Sequence, residues 1–249
     1  MEYKEYGINN PAMLVFLHGG GVGGWMWDKQ VEYFSTDYHC LVPELLDLND
    51  TYTDGFTIDK AAKDLIPLIE SAGTDKPVSI IGFSIGAQIA ISALSNRPNM
   101  FSSAMINSAL VKPVHFARIL TKAMLPTLPL TRNRTFSDIQ AKSMYIEQEY
   151  LETYYQSNKN LDSRLFADIM IENMTYELPS TFSDSTSNIL VTSGEKEIRS
   201  IKASMSAIVE SNPNAHALVV PKIGHGFPLA MPTLFNKTLE ELLKPTSEK

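Results

Sequence analysis

From Pro77 to Asn96 the chain carries no charged side chain, over a length that could cross a bilayer, and how that run resolves decides the fold. Its first part is β-branched, with Val78, Ile80 and Ile81, while its second part places apolar residues at helical spacing. Gly82, Ser84, Gly86, Gln88, Ser92 and Ser95 interrupt it, which a spanning helix would not favour. The run therefore reads as a buried strand turning sharply into a buried helix.

The same alternation recurs along the chain. Strand-like runs lie at Met13 to Leu17, His39 to Val42, Ala104 to Asn107, Ile189 to Thr192 and Ala217 to Val220. Between them, Trp25 to Phe34, Thr57 to Ser71, Ile85 to Asn96, Ile198 to Ser211 and Thr233 to Leu243 read as helices. Strand alternating with helix implies a mostly parallel sheet of about six strands covered on both faces.

The alternation fails between about Lys112 and Ser187, where helical patterns occur without a convincing strand. The expected organisation is a core built from residues 1–111 and 188–249, with residues 112–187 inserted as a helical cap. The insertion is rich in Met, Phe and Tyr, among them Met124, Met144, Met170, Phe136, Phe166 and Tyr154. Some of these side chains should line whatever space the cap encloses. Ser180 to Asn188 reads as the polar loop returning to the sheet.

Composition narrows the function. With 21 basic and 28 acidic residues the chain has a formal charge of −7, so a nucleic-acid partner is not expected. Its one cysteine, Cys40, allows no internal disulfide and no multi-cysteine metal site, and its apolar neighbours Leu41 and Val42 place it in the core. The opening Met1-Glu2-Tyr3-Lys4-Glu5 lacks a secretory signal's apolar region, so a cytoplasmic location is expected.

Gly82-Phe83-Ser84-Ile85-Gly86 matches G-x-S-x-G, in which serine occupies a strained strand-to-helix turn. The pattern alone is weak, and the strand before it and helix after it make it specific. A serine hydroxyl needs a base within hydrogen-bond reach and an acidic residue to orient that base. Of the five histidines, His225 in Gly224-His225-Gly226-Phe227-Pro228 follows the last strand-like run, in a loop. His216 reads as a solvated turn residue ahead of a strand, and His39 and His115 as structural.

Leu17-His18-Gly19-Gly20-Gly21 follows the first buried strand, and its glycines allow close backbone approach to an oxyanion. Ile85, after the nucleophile, supplies a second N–H at a helix N-terminus. The alternative, a dinucleotide-binding loop on Gly19, Gly21 and Gly24 with Glu44 as its acidic residue, leaves Ser84 and His225 without a role.

These segments resemble the α/β-hydrolase superfamily from about Met13 to Leu243. The resemblance is carried by His18-Gly19-Gly20-Gly21 with Trp25 following, the elbow around Ser84, the turn Gly194-Glu195-Lys196-Glu197, and Gly224-His225-Gly226. It implies the order nucleophile, acid, histidine, with the N–H groups of Gly20 and Ile85 at the oxyanion and His18 in a structural role. Relatives more often carry aspartate where this chain has Glu197, which lies 28 residues before His225. Glu195 is the nearest rival for the acid, and a displaced acid is the third possibility.

A serine nucleophile excludes the branches of the superfamily that attack with a carboxylate. The expected activity is hydrolysis of a small, largely uncharged carboxylic ester through an acyl-enzyme, with no metal or organic cofactor and with catalytic residues Ser84, His225 and Glu197. Carbon–carbon bond, lactone or amide hydrolysis on the same residues is the alternative chemistry. A small-molecule sensor or partner-binding protein on a hydrolase scaffold is the alternative class. The expected partner is a small ester, with neither nucleic acid nor membrane.

Overall fold

A computed structural model describes residues 1–45, 55–73, 75–159 and 161–244. Its strands are β1 (Tyr3–Tyr6), β2 (Met13–Leu17), β3 (His39–Pro43), β4 (Val78–Phe83), β5 (Phe101–Asn107), β6 (Asn188–Gly194) and β7 (Ala215–Val220). They form one sheet in the order β1-β3-β2-β4-β5-β6-β7. Only β1 is antiparallel, pairing Tyr3 with Pro43 and Tyr6 with Cys40, so the short N-terminal strand adds to six parallel ones.

Side-chain alternation divides the core between the two faces of this sheet. Met13, Val15 and Leu17 of β2 join Leu41 and Ile80 on one side. Leu14 and Phe16 join Cys40, Val42, Ile81 and Phe83 on the other. Cys40 is fully buried, and burial pushes its thiol up to about 12. The helices flanking the sheet are α1 (Asp28–Phe34), α2 (Ile58–Ala72), α3 (Ile85–Asn96), and, after β6, α8 (Arg199–Ser211), α9 (Phe227–Ala230) and α10 (Pro232–Leu243). Thr57 caps α2 by accepting from Lys60 N at 3.1 Å, which ends the helix where the sequence places its start.

Between β5 and β6 the described residues form α4 (Ala117–Met124), α5 (Arg134–Ser143), α6 (Leu151–Asn158) and α7 (Ser163–Thr175), with 3-10 turns and no strand. Two local expectations need correction. The segment after α7 is not simply a polar loop: Ser180–Asp184 forms a 3-10 turn that buries Phe182 completely against α3. His216 lies inside β7, opposite Leu190, and stays exposed because β7 is an edge strand.

Register sets the site. Leu17 pairs with Gly82, Phe83 with Asn107, Asn107 with Thr192, and Gly194 with Val220. The loops leaving β2, β4, β5, β6 and β7 therefore emerge together at the carboxyl edge of the sheet, where ligands of open parallel sheets bind.

Candidate active site

Ser84 sits between β4 and α3 with φ 55° and ψ −117°, a conformation that costs a non-glycine residue about 1–3 kcal/mol. The two flanking glycines are required by close approach. A Cβ on Gly82 would lie 2.5 Å from Gly86 O, and one on Gly86 would lie 2.4 Å from Leu17 O. The strain is held from the neighbouring strand. Ser84 N donates to Asn107 O at 2.9 Å, and Asn107 Nδ2 donates to Gly82 O at 2.9 Å. Thr192 Oγ1 donates to Asn107 Oδ1, completing a clasp in which Gly82, Asn107 and Thr192 are buried.

Glu197, eight per cent exposed, accepts a hydrogen bond at 2.9 Å from His225 Nδ1 on the loop after β7. Burial alone would raise its pKa. Hydrogen bonds from His225, from the Ser108 hydroxyl and from Ile198 N–H outweigh that effect and hold it below the ordinary carboxylate value. With Nδ1–H directed at Glu197, the neutral imidazole presents Nε2 as an acceptor. The His225 ring lies against Phe83, with centroids 4.9 Å apart, which sets it beside the elbow.

Glu195 points elsewhere, its Oε2 accepting from Lys222 N at 2.8 Å. Of the two carboxylates in this turn, the structure brings Glu197 to His225 and leaves Glu195 bracing the turn after β7.

On the other side of Ser84, Ile85 opens α3, where backbone N–H groups have no intrahelical partner. Gly20 lies across from it: a Cβ there would meet only Ile85 Cγ2, at 4.0 Å. His18 is buried, accepts from Leu45 N at 2.9 Å through Nε2, and donates from Nδ1 to Gly19 O at 2.8 Å. That pairing fixes one neutral tautomer. Burial holds its pKa below the ordinary value, opposed by the Gly19 carbonyl and then by Glu44. The 3.6 Å approach of Glu44 to Nε2 is consequently no ion pair, because Nε2 carries no proton. His18 thus pins the loop carrying Gly20.

A cavity of about 650 Å³ opens above Ser84, Gly20 and Ile85. The helical segment between β5 and β6 contributes Met124, Leu128, Phe136, Met144, Tyr154, Phe166, Ile169 and Met170 to its wall. Among the described residues its charged side chains are the carboxylates Glu2 and Glu44.

Three polar residues to which the sequence reading gave no role at the site tie the helical segment between β5 and β6 to these loops. Asn158 of α6 donates to Gly21 O at 2.8 Å. The hydroxyl of Tyr145, after α5, accepts from Gly224 N at 3.0 Å. Gln88 of α3 donates to Leu110 O and to Asn173 O on α7, and accepts from Asn173 Nδ2. Each acts through tertiary contact alone, with no local pattern to mark it.

A model of the alpha/beta hydrolase family matches residues 14–238. The chain belongs to that family. Over 77 residues it is 38% identical to ethanol acetyltransferase 1 of Hanseniaspora uvarum, covering 29% of this chain and 23% of that protein. Over 119 residues it is 29% identical to the (E)-2-((N-methylformamido)methylene)succinate hydrolase of Acinetobacter baylyi, covering 47% of this chain and 44% of that one. The chain thus spans less than half the length of these two relatives. An esterase from Exiguobacterium antarcticum superposes with a TM-score of 0.81 at 17% identity, over 98% of this chain and 95% of that one, a likeness of fold.

Proposed function

We propose that this family member is a serine hydrolase that cleaves a small, largely uncharged carboxylic ester through an acyl-enzyme. The observation that carries the reading is the buried Glu197 carboxylate on His225 Nδ1, beside a serine held in a strained elbow. A histidine fixed in this tautomer is prepared to accept a proton at Nε2 and to be stabilised as imidazolium by the carboxylate.

In this mechanism Ser84 Oγ attacks the ester carbonyl carbon as its proton passes to His225 Nε2. The N–H groups of Gly20 and Ile85 receive the oxyanion, each such donor being worth about 3 kcal/mol in the transition state. Collapse expels the alcohol, which takes the proton from His225. Water, deprotonated by the same nitrogen, then attacks the acyl-serine, and the acid leaves as Ser84 Oγ takes that proton back from His225. Among the described residues no hydrogen bond joins Ser84 Oγ to His225, and the mechanism requires that contact in the substrate complex.

The cavity wall supports the substrate class. It is mostly apolar, and Glu2 and Glu44 would repel a second carboxylate on the substrate, with no Lys or Arg among the described lining residues to offset them. A succinate derivative, the substrate named for the Acinetobacter relative, suits this wall poorly. In the same reading residues 112–187 act as the cap that sets specificity, and no metal or organic cofactor takes part.

Labelling with a fluorophosphonate, followed by peptide mapping, tests the reading. Modification at Ser84, lost on heat unfolding and in Ser84→Ala, is expected. A folded protein that stays unlabelled would place it among ligand sensors on a hydrolase scaffold.

A further inference from the structure

Between Lys112 and Ser137 the sequence contains Lys112, Arg118, Lys122, Arg132 and Arg134 and no acidic residue, in a chain whose formal charge is −7. In the structure this basic stretch coincides with an uncovered apolar face. Ala117 and Thr121, one turn apart, turn α4 inward, and Val114 N fastens the segment to Met174 O of α7. Everything on the far side is exposed: Phe116 at 75%, Ile119 at 63%, and Leu120, Met124 and Leu130 beyond them. Contiguous apolar exposure of this kind marks an interaction surface more often than an isolated surface leucine does.

The charges sit within the same face. Arg118 and Lys122 form an i, i+4 row on α4, immediately beside the row of Ile119 and Ala123. Among the described residues neither cation, nor Lys112, has an ion-pair partner, whereas Arg134 is engaged by Asp138 and Glu152. Phe116, just ahead of α4, adopts a left-handed backbone with φ 61° and projects its ring outward.

We propose that this face docks on an anionic lipid surface, with Phe116, Ile119 and Leu120 entering the headgroup boundary and Lys112, Arg118 and Lys122 meeting lipid phosphates. Outward-projecting apolar side chains flanked by unpaired cations are the composition of an interfacial helix. A second copy of the chain suits the face less well, because a two-fold contact of the patch with itself would bring Arg118 and Lys122 of both copies together. A face that lies on a membrane needs no long apolar run, which is why the sequence reading expects no membrane partner. Met124 belongs both to this face and to the cavity wall, so a docked molecule has its cavity beside the lipid.

The test is vesicle flotation of the full chain, a readout independent of whether Ser84 hydrolyses anything. Vesicles of phosphatidylcholine with about one third phosphatidylglycerol should carry the protein, pure phosphatidylcholine should carry much less, and raised salt should release it. Arg118→Gln with Lys122→Gln should weaken binding about thirtyfold, at roughly tenfold per 1.4 kcal/mol and about 1 kcal/mol for each cation. Phe116→Ser with Ile119→Ser should weaken it comparably. None of these side chains lines the cavity, so hydrolysis of a soluble ester should be unchanged, which also shows that the variants fold. Failure to float with anionic vesicles, flotation indifferent to both variants, or a dimer that Phe116→Ser with Ile119→Ser disperses would overturn the proposal.

Discussion

Asn158 Nδ2 donates to Gly21 O at 2.8 Å, joining the last turn of α6 to the loop that presents Gly20. Gly21 has φ +75°, so this loop already occupies backbone space that favours glycine, and the bond holds it there from α6. Asn158→Ala should lower kcat for a p-nitrophenyl ester by about tenfold through misplacement of the oxyanion donor. Asn158→Asp should not restore it, because a carboxylate has no N–H to give. Wild-type kcat in both variants would remove Asn158 from this role.

Tyr145 holds the histidine loop in the same way, with its hydroxyl on Gly224 N and its ring against Gly226, itself at φ +123°. Tyr145→Phe keeps the ring and deletes one partly exposed hydrogen bond, about 1 kcal/mol. A roughly fivefold fall in kcat with KM little changed is expected. A change confined to KM would mean that Tyr145 acts on substrate and not on the loop.

Asn107 should matter for stability more than its size suggests. Asn107→Ala leaves Gly82 O without its side-chain donor and Thr192 Oγ1 without its acceptor, both buried, and releases a constraint on the elbow. A loss of about 2–4 kcal/mol in urea unfolding is expected. A loss below about 1 kcal/mol would show that the backbone bond from Ser84 N to Asn107 O suffices.

Acid should destabilise the fold in two windows. The pKa of His18 is depressed on folding, so the unfolded chain binds the proton first. The stability linked to neutral His18 is complete above about pH 6.5 and falls as pH drops from there towards the folded value. The carboxyl of Glu197 is also depressed. Its contribution is complete above the ordinary glutamate value of about 4.3 and is lost as pH falls through the lower folded value. Glu197→Gln should flatten stability against pH in the second window and leave the first unchanged. An unaltered acid limb in that variant would contradict the assignment.

What the sequence made legible follows from how local each signal is. Met13 to Leu17 and Val78 to Ile81 announce buried strands by their side chains alone, and Thr57 announces the start of α2 by its hydroxyl. Gly82 and Gly86 announce the elbow because the backbone packs where a Cβ would stand. Glu197 and Glu195 are indistinguishable by residue type. Only the path of the turn, which sends one to His225 and the other to Lys222 N, separates them. Asn107, Tyr145 and Asn158 act across the fold, on partners set by register and by how α5 and α6 sit, so nothing beside them in the chain reveals the contact. Phe182 and His216 misled for a related reason. A single buried phenylalanine in a polar stretch, and a histidine on an edge strand, both depend on neighbours distant in sequence.

The acid assignment has its own kinetic consequence. Glu197→Gln should lower kcat by up to about 10⁴, the scale seen when a triad loses its orienting charge. Glu195→Gln should change it little, since Glu195 accepts a backbone N–H and does not meet the imidazole. Reversal of that order would move the acid to Glu195.

The central claim is that Ser84 carries the acyl group, and rapid-quench mass spectrometry tests it most directly. Enzyme mixed with excess p-nitrophenyl butyrate and stopped in acid within the first turnover should gain one butyryl group, mapped to Ser84, with a matching burst of nitrophenol. The adduct should be absent in Ser84→Ala and accumulate less in Glu197→Gln. Steady turnover with no adduct and no burst, persisting in Ser84→Ala, would contradict the account.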